Sequence, residues 1–181
     1  MNTWIVLLRG INVGGSNRLP MADLRAALSD DGFTDVCTYI QSGNIVLSAE
    51  DGLDTGAVAA RIGATIDHRF GFSPSVWAIT LDRFDEVIEA NPFPQATAYP
   101  KLVHFVFTAG PPAPSTLDEL SALVVPGEEV HVEGDMIYLF APHGIGRSKM
   151  AAAVGKASRT NTTSRNYRSI MAIRKLAEQG R

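Results

Sequence analysis

The first part of the chain alternates between short apolar runs and helical stripes. Residues 3–8 form a continuous apolar run of strand length that stops just before Gly10, which predicts a buried strand. Three apolar residues at helical spacing then lie between Pro20 and Gly32. Proline suits the start of a helix and glycine its left-handed end, so the pattern predicts a helix of about three turns there.

The next segment predicts a hairpin, a long helix, a strand and a shorter helix. The β-rich runs 36–41 and 44–48 are separated by two turn-forming residues, which is typical of a hairpin. Apolar residues recur every four positions through 58–70, which predicts a helix although two glycines interrupt the segment. A strand is predicted at 75–80 and a helical stripe at 81–91, where proline follows and ends it.

The same order begins again near Lys101. The predicted elements are a strand at 102–108, a helix at 116–124 opened by a capping box of Thr116 and Glu119, hairpin strands at 128–133 and 136–140, and helices at 147–155 and 163–179. We interpret the chain as an α+β protein of two tandem ferredoxin-like (split β-α-β) halves with antiparallel sheets and an extra C-terminal helix. The predicted halves are residues 1–95 and 96–181.

The strands of the second half are apolar on both faces, as the alternation in 102–107 and 136–140 shows. Such a sheet needs cover on both sides, which the partner half or a second copy of the chain could supply. Tyr138 and Phe140 could instead form an open platform on which nucleic-acid bases stack. We expect core packing, because strand aromatics at alternate positions are more often buried.

Composition narrows the class of protein. The chain has 181 residues, of which 45% are hydrophobic and 19% charged, so it can bury a core. The apolar run at the start is too short for a membrane helix and no cleavage site follows it. Cys37 is the single cysteine and can make neither an internal disulfide nor a metal cluster. We expect a cytoplasmic protein with no metal, no cofactor and no membrane partner.

Charge is divided unevenly along the chain. Residues 143–181 hold nine lysines or arginines and one acid, a net charge of +8, while the rest of the chain holds seven bases and eighteen acids, a net charge of −11. A basic segment on an acidic protein favours a local site for anions. The alternative is a solvated basic surface without a ligand.

Two first-half loops carry candidate binding groups. The glycine-rich loop at 9–18 exposes backbone N–H groups that can hold an anion, although it lacks the lysine of a Walker loop. Because the first and third strands of such a unit are neighbours, this loop should lie beside the turn at 41–44. We predict these ligand-binding residues: Arg9, Gly10, Asn12, Gly14, Gly15, Asn17, Gln41, Ser42 and Asn44.

The second half carries two basic segments. Arg147 and Lys149 stand near a predicted helix start, where positive charge is unfavourable unless an anion is bound. Arg165 and Arg168 are predicted to share one arc of the last helix with Lys175, after a start rich in capping residues. The ligand-binding residues predicted here are Arg147, Ser148, Lys149, Thr163, Arg165, Asn166 and Arg168.

Five ordered blocks resemble one bacterial family. The blocks are Leu-Leu-Arg-Gly-Ile-Asn-Val-Gly-Gly at 7–15, Pro-Met-Ala-Asp-Leu-Arg at 20–25, Thr-Tyr-Ile-Gln-Ser-Gly-Asn at 38–44, Gly-Ile-Gly-Arg-Ser-Lys at 144–149 and Thr-Ser-Arg-Asn-Tyr at 163–167. Together they resemble the family called domain of unknown function 1697. The resemblance implies two ferredoxin-like halves and no established activity.

The sequence hypothesis is a protein that binds a phosphate-bearing ligand, either a nucleic acid or a nucleotide. The loops at 9–18 and 41–44 would supply shape and the segment 147–168 would supply charge. One alternative is a small-molecule enzyme, but the four histidines show no paired acid at motif spacing and no catalytic residue can be named. Another alternative is a homo-oligomerisation or partner-binding module.

Overall fold

The computed structural model describes residues 1–179. The chain forms two compact units, one made of residues 1–86 with the segment from Ala172 onward and the other of residues 87–171. The elements in chain order are β1 (Asn2–Arg9), α1 (Met21–Asp30), β2 (Thr34–Tyr39), β3 (Asn44–Ala49), α2 (Thr55–Phe70), β4 (Ser75–Thr80), α3 (Leu81–Glu89), α4 (Gln95–Ala98), β5 (Val103–Thr108), α5 (Thr116–Ser121), β6 (Glu129–Glu133), β7 (Met136–Phe140), α6 (Lys149–Ser158), β8 (Thr162–Asn166) and α7 (Tyr167–Gln179). None of the helices described is long and apolar enough to cross a membrane.

The first unit contains a four-stranded antiparallel sheet in the order β2-β3-β1-β4. Alternate β1 residues, among them Trp4, Val6 and Leu8, share one face and pack in a buried cluster with apolar residues of α1 and α2. This alternation follows from the two-residue repeat of a strand. The predicted neighbourhood of β1 and β3 is confirmed by a register that places Leu7 opposite Asn44.

Gly43 shows why the turn between β2 and β3 needs glycine. Its φ is 73°, and a Cβ atom there would lie 2.6 Å from the Cβ atom of Leu8. The Leu8 N–H also donates to the Gly43 carbonyl over 2.8 Å. Any larger residue would therefore push this turn away from the end of β1.

The second unit contains a four-stranded antiparallel sheet in the order β6-β7-β5-β8. Val106, Ile137 and Leu139 pack against α5 and α6. On the opposite face the Phe105 and Tyr138 rings meet edge to face with centroids 5.0 Å apart, and the Tyr138 hydroxyl donates to the Val87 carbonyl over 2.9 Å.

Tyr138 and Phe140 are core residues, which confirms the prediction from their alternate positions on the strand. Tyr138 is 1% exposed and Phe140 is 9% exposed. Their rings are therefore closed to any base, and an open stacking platform on this sheet is excluded.

β8 corrects the predicted end of the second half. Residues 163–179 were expected to form one helix, but Thr162–Asn166 is a strand that pairs with β5, with Thr163 opposite Phe107. The last helix begins only at Tyr167. The second unit thus has the same strand and helix order as the first, β-α-β-β-α-β, although β8 was not foreseen.

The predicted capping box at α5 is also wrong. Thr116 is the first helical residue and its hydroxyl donates to the Ala157 carbonyl over 3.1 Å. Glu119 instead accepts a hydrogen bond from the Ser115 hydroxyl over 2.8 Å, which lowers the pKa of its carboxyl together with nearby Arg159. Thr116 is fully buried, so its hydroxyl satisfies a core carbonyl instead of a helix start.

Candidate functional site

The glycine-rich loop between β1 and α1 is held in place by Asn12. The Asn12 Nδ2 atom donates to the Leu19 carbonyl over 3.0 Å and to the Gln41 carbonyl over 2.9 Å. Its Oδ1 atom accepts from the Leu19 N–H over 2.8 Å. The amide thus closes the loop on itself and ties it to the turn between β2 and β3, as the topology predicted.

Two further amides serve the loops in the same way. The Asn17 Nδ2 atom donates to the Gly10 carbonyl over 2.8 Å. Asn44 is fully buried, and its Nδ2 atom donates to the Tyr39 carbonyl over 3.1 Å and to the Ser42 hydroxyl over 2.9 Å. These asparagines position the two loops, and their contact with a ligand stays a prediction.

The two loops also concentrate unusual backbone geometry. Asn12, Asn17 and Ile40 have φ values of 53°, 50° and 49°. Asparagine adopts this left-handed conformation readily, but a β-branched residue does so only at a cost. Ile40 is moreover 54% exposed, so burial of its side chain does not explain its presence at this position.

A cleft of about 460 Å³ opens between the glycine-rich loop, the start of α1 and the turn at 40–43. Arg18, Arg25 and Gln41 supply its charged and polar lining together with Asn12, and no carboxylate lines it. The Arg25 guanidinium donates to the Thr38 hydroxyl over 2.6 Å, which fixes its position. Arg18 is exposed and makes no hydrogen bond or ion pair with residues 1–179.

The first turn of α1 adds to the positive potential of this cleft. Pro20 precedes the helix and no side chain caps it, so the first N–H groups are left for solvent or a bound anion. Asp23 lies in the same turn but does not line the cleft. Arg25 was not among the predicted ligand residues, and the signal for it was an arginine one turn after an uncapped helix start.

The predicted site residues of the second unit fall into two groups. Some are structural, because the Ser148 hydroxyl accepts from the Ala151 N–H over 3.1 Å to cap α6 and Asn166 Oδ1 accepts from the Ser169 N–H over 2.9 Å at the start of α7. Thr163 is buried on β8. Others, namely Arg147, Lys149 and Arg168, are exposed.

Arg165 lies on β8 and not on the last helix. It pairs in register with Phe105, so the predicted helical arc that joined Arg165, Arg168 and Lys175 is wrong. Its guanidinium donates to the Thr163 hydroxyl over 3.0 Å and to the Ser164 carbonyl over 2.8 Å. Burial lowers the pKa of Arg165 to about 10, because a charged group is disfavoured away from water.

Two candidate reactive groups, His131 and Cys37, lie outside the cleft lining. No group of three or more histidine, cysteine or acidic side chains within residues 1–179 could hold a metal ion. His131 lies 3.7 Å from Glu133 on the partly exposed strand β6, and the half-buried Cys37 is a free thiol. Neither faces the cleft described above.

The comparison with known families decides where the chain belongs. The sequence profile of the family described as "protein of unknown function (DUF1697)" matches residues 1–138. The chain belongs to the DUF1697 family. The matched region contains both loops and the whole lining of the cleft, whereas the basic segments of this DUF1697 protein lie beyond it.

A solved structure supports the fold of this DUF1697 chain. The conserved bacterial protein SP0830 from Streptococcus pneumoniae superposes with a TM-score of 0.76 and 22% sequence identity, over 97% of this chain and 98% of that protein. At this identity the likeness concerns the fold alone. None of the curated proteins matches the DUF1697 chain.

Proposed function

We propose that the cleft of the first unit binds a phosphate-bearing ligand. The observation that carries the proposal is the lining: two arginines, a glutamine and the uncapped start of α1 border the cleft, and no carboxylate lines it. Guanidinium groups and backbone N–H groups are the donors that phosphate prefers. The cleft volume also falls in the range of about 300–1,000 Å³ that is usual for small-molecule sites.

The distribution of charge supports the same proposal. Residues 1–142 carry a strongly negative net charge. Arginines in this part of the chain pair with exposed carboxylates, as Arg69 does with Asp30 over 2.9 Å. Arg18 and Arg25 make no ion pair with the described residues. A carboxylate-free arginine pair on an acidic protein creates a local field that attracts anions.

The rest of the sequence hypothesis is kept in this proposal. Residues 1–95 and 96–181 each contain one ferredoxin-like arrangement, which the repeated β-α-β-β-α-β order and the matching sheet orders support. The basic segment 147–168 of the second unit carries positive charge of its own that favours an anion, and its proposed ligand is likewise a nucleic acid or a nucleotide. A cytoplasmic location fits the single free Cys37.

Calorimetric titration with AMP, ADP and a ten-nucleotide oligouridine tests the proposal. The double variant Arg18→Gln/Arg25→Gln should bind the preferred probe at least tenfold more weakly than the wild type, because each charge-assisted contact contributes about 1.5–3 kcal/mol. Arg83→Gln is the matched control, since it removes an exposed arginine paired with Glu86 on α3, away from the cleft lining. Tighter binding of AMP or ADP would identify the ligand class as a nucleotide. Tighter binding of the oligouridine would identify it as a nucleic-acid strand.

The proposal is wrong if the wild type binds none of these probes, or if the control variant loses as much affinity as the double variant. A normal thermal unfolding midpoint of both variants ensures that a loss of affinity reports on the cleft.

A further inference from the structure

One end of the second sheet gathers three segments that the chain separates widely. The Ala141 N–H donates to the Leu102 carbonyl over 2.9 Å, and the Arg168 N–H donates to the Pro100 carbonyl over 2.9 Å. The start of β5, the loop after β7 and the start of α7 therefore meet at this end. Two further turns extend the loop after β7 to the start of α6. In the first, the Gly144 N–H donates to the Ala141 carbonyl over 2.9 Å, and in the second, the Arg147 N–H donates to the Gly144 carbonyl over 3.0 Å.

These segments carry positive charge and no acid. Residues 99–102, 141–149 and 166–168 contain four lysines or arginines and neither aspartate nor glutamate. We call this surface the basic end, and its cations are Lys101, Arg147, Lys149 and Arg168. All four are exposed, and their side chains make no ion pair with residues 1–179.

Two acids at the start of β6, where Glu129 pairs in register with Phe140, are engaged by other groups. Glu128 is buried, and its carboxylate accepts from the Val125 N–H over 3.1 Å. Glu129 accepts from the Gln95 side chain over 2.8 Å and stands on β6, the strand at the opposite edge of the sheet from β8. By contrast, Arg159 of the same unit is paired with Glu119 over 2.8 Å. The four cations of the basic end therefore differ from Arg159, which has a carboxylate partner.

An exposed aromatic ring stands at the same place. Tyr99 is 56% exposed and precedes Pro100 and Lys101 in the segment that Arg168 contacts. Its main-chain carbonyl accepts from the Leu102 N–H over 2.9 Å, which fixes this turn. A large exposed ring beside unpaired cations is the combination that binds single-stranded nucleic acid, since bases stack on the ring and phosphates meet the cations.

We propose that the basic end is a binding surface for single-stranded nucleic acid, with Tyr99 as the stacking residue and Lys101 and Arg168 as phosphate contacts. The surface lies wholly in the second unit, so it does not rest on the cleft of the first. A duplex should bind this surface more weakly, because its paired bases cannot stack on an exposed ring. The buried Tyr138 and Phe140, which the sequence offered as stacking residues, take no part.

Fluorescence anisotropy of a labelled ten-nucleotide oligouridine at several salt concentrations tests this inference with the full chain. The wild type should bind with an affinity that falls linearly with salt on a logarithmic scale. Tyr99→Ala should weaken binding at least fivefold, and Tyr99→Phe should bind like the wild type because the ring is retained. Lys101→Gln/Arg168→Gln should weaken binding and reduce the salt slope by about 1.4, as expected for two lost phosphate contacts.

Arg83→Gln is the matched charge control, because Arg83 is an exposed arginine of the first unit and lies in none of the three segments. It should leave affinity within twofold of the wild type. The inference is overturned if the wild type does not bind the strand, if Tyr99→Ala binds normally, if Arg83→Gln loses as much as the double variant, or if a duplex of the same length binds equally well.

The two proposals fail in different ways. Loss of strand binding in Lys101→Gln/Arg168→Gln with retention in Arg18→Gln/Arg25→Gln supports the basic end, whatever the cleft binds. The opposite pattern assigns the strand to the cleft and overturns the inference for the basic end.

Discussion

The side-chain amide of Asn12 lies 2.9 Å from the main-chain carbonyl of Gln41, 29 positions away in the chain. This hydrogen bond joins the two loops that flank the cleft, and the same side chain also closes the glycine-rich loop through Leu19. The cleft wall therefore depends on one asparagine that the ligand need not touch. Asn12 is a positioning residue in the proposed site.

Replacing Asn12 by alanine should cost stability and distort the cleft. Asn12→Ala removes three hydrogen bonds and places a Cβ-bearing residue without a local hydrogen bond at a φ of 53°, so we expect a loss of about 2–3 kcal/mol in the free energy of unfolding. Urea denaturation measures it. Val13→Ala is the control, because Val13 is 70% exposed and should change stability by less than about 0.5 kcal/mol. Equal stability of both variants would contradict the role of Asn12.

Ile40 offers the opposite test. Asparagine tolerates the left-handed conformation that Ile40 adopts at a φ of 49°, so Ile40→Asn should raise the free energy of unfolding by about 1 kcal/mol. The matched control is Val13→Asn, because Val13 is also an exposed β-branched residue but is not at positive φ, and this variant should not be more stable than the wild type. The thermal unfolding midpoints of both variants are compared with that of the wild type. A lower midpoint for Ile40→Asn would show that the isoleucine side chain stabilises the turn.

Most elements could be predicted from the sequence because their apolar repeats are local. The strands at 75–80 and 136–140 have the predicted bounds. β8 could not be predicted in this way, because Thr162, Thr163 and Ser164 are typical of a helix start as well as of a strand. Their strand state depends on pairing with β5, more than fifty residues earlier.

The site was predictable only in part for the same reason. Topology correctly placed the glycine-rich loop beside the turn after β2. It could not show that Asn12, Asn17 and Asn44 have main-chain partners, since those partners depend on the loop conformation. Tyr99 was overlooked because a sequence does not show which aromatic residues stay exposed once the sheets are formed.

The Tyr138 hydroxyl provides a test of the second core. Tyr138→Phe removes the donor to the Val87 carbonyl and leaves a buried acceptor without its partner, which should lower the free energy of unfolding by about 1–2 kcal/mol. The control Tyr99→Phe removes an exposed hydroxyl and should be neutral within about 0.5 kcal/mol. Denaturant unfolding of the two variants measures this difference. If Tyr138→Phe left the free energy of unfolding unchanged, water would have replaced the lost hydrogen bond.

His104 should make stability depend on pH. Burial lowers the pKa of His104 from 6.5, and a hydrogen bond to the main chain of Lys101 opposes this only in part. Below pH 6.5 the unfolded chain therefore binds a proton that the folded protein does not, so the free energy of unfolding should fall as the pH drops from about 6.5 toward the lowered pKa. Above pH 6.5 both states carry neutral His104 and this dependence should vanish.

Urea denaturation at pH 7.5 and pH 5.5 measures the effect in the wild type and in His104→Gln. The variant should lose less stability between the two pH values, even if it is less stable at both, because glutamine does not titrate. His68→Gln is the control, since His68 is exposed on α2 and should leave the wild-type pH dependence intact. If His104→Gln kept the full dependence, the acid sensitivity would come from other groups, and the neutral state of buried His104 would have no measurable consequence for folding.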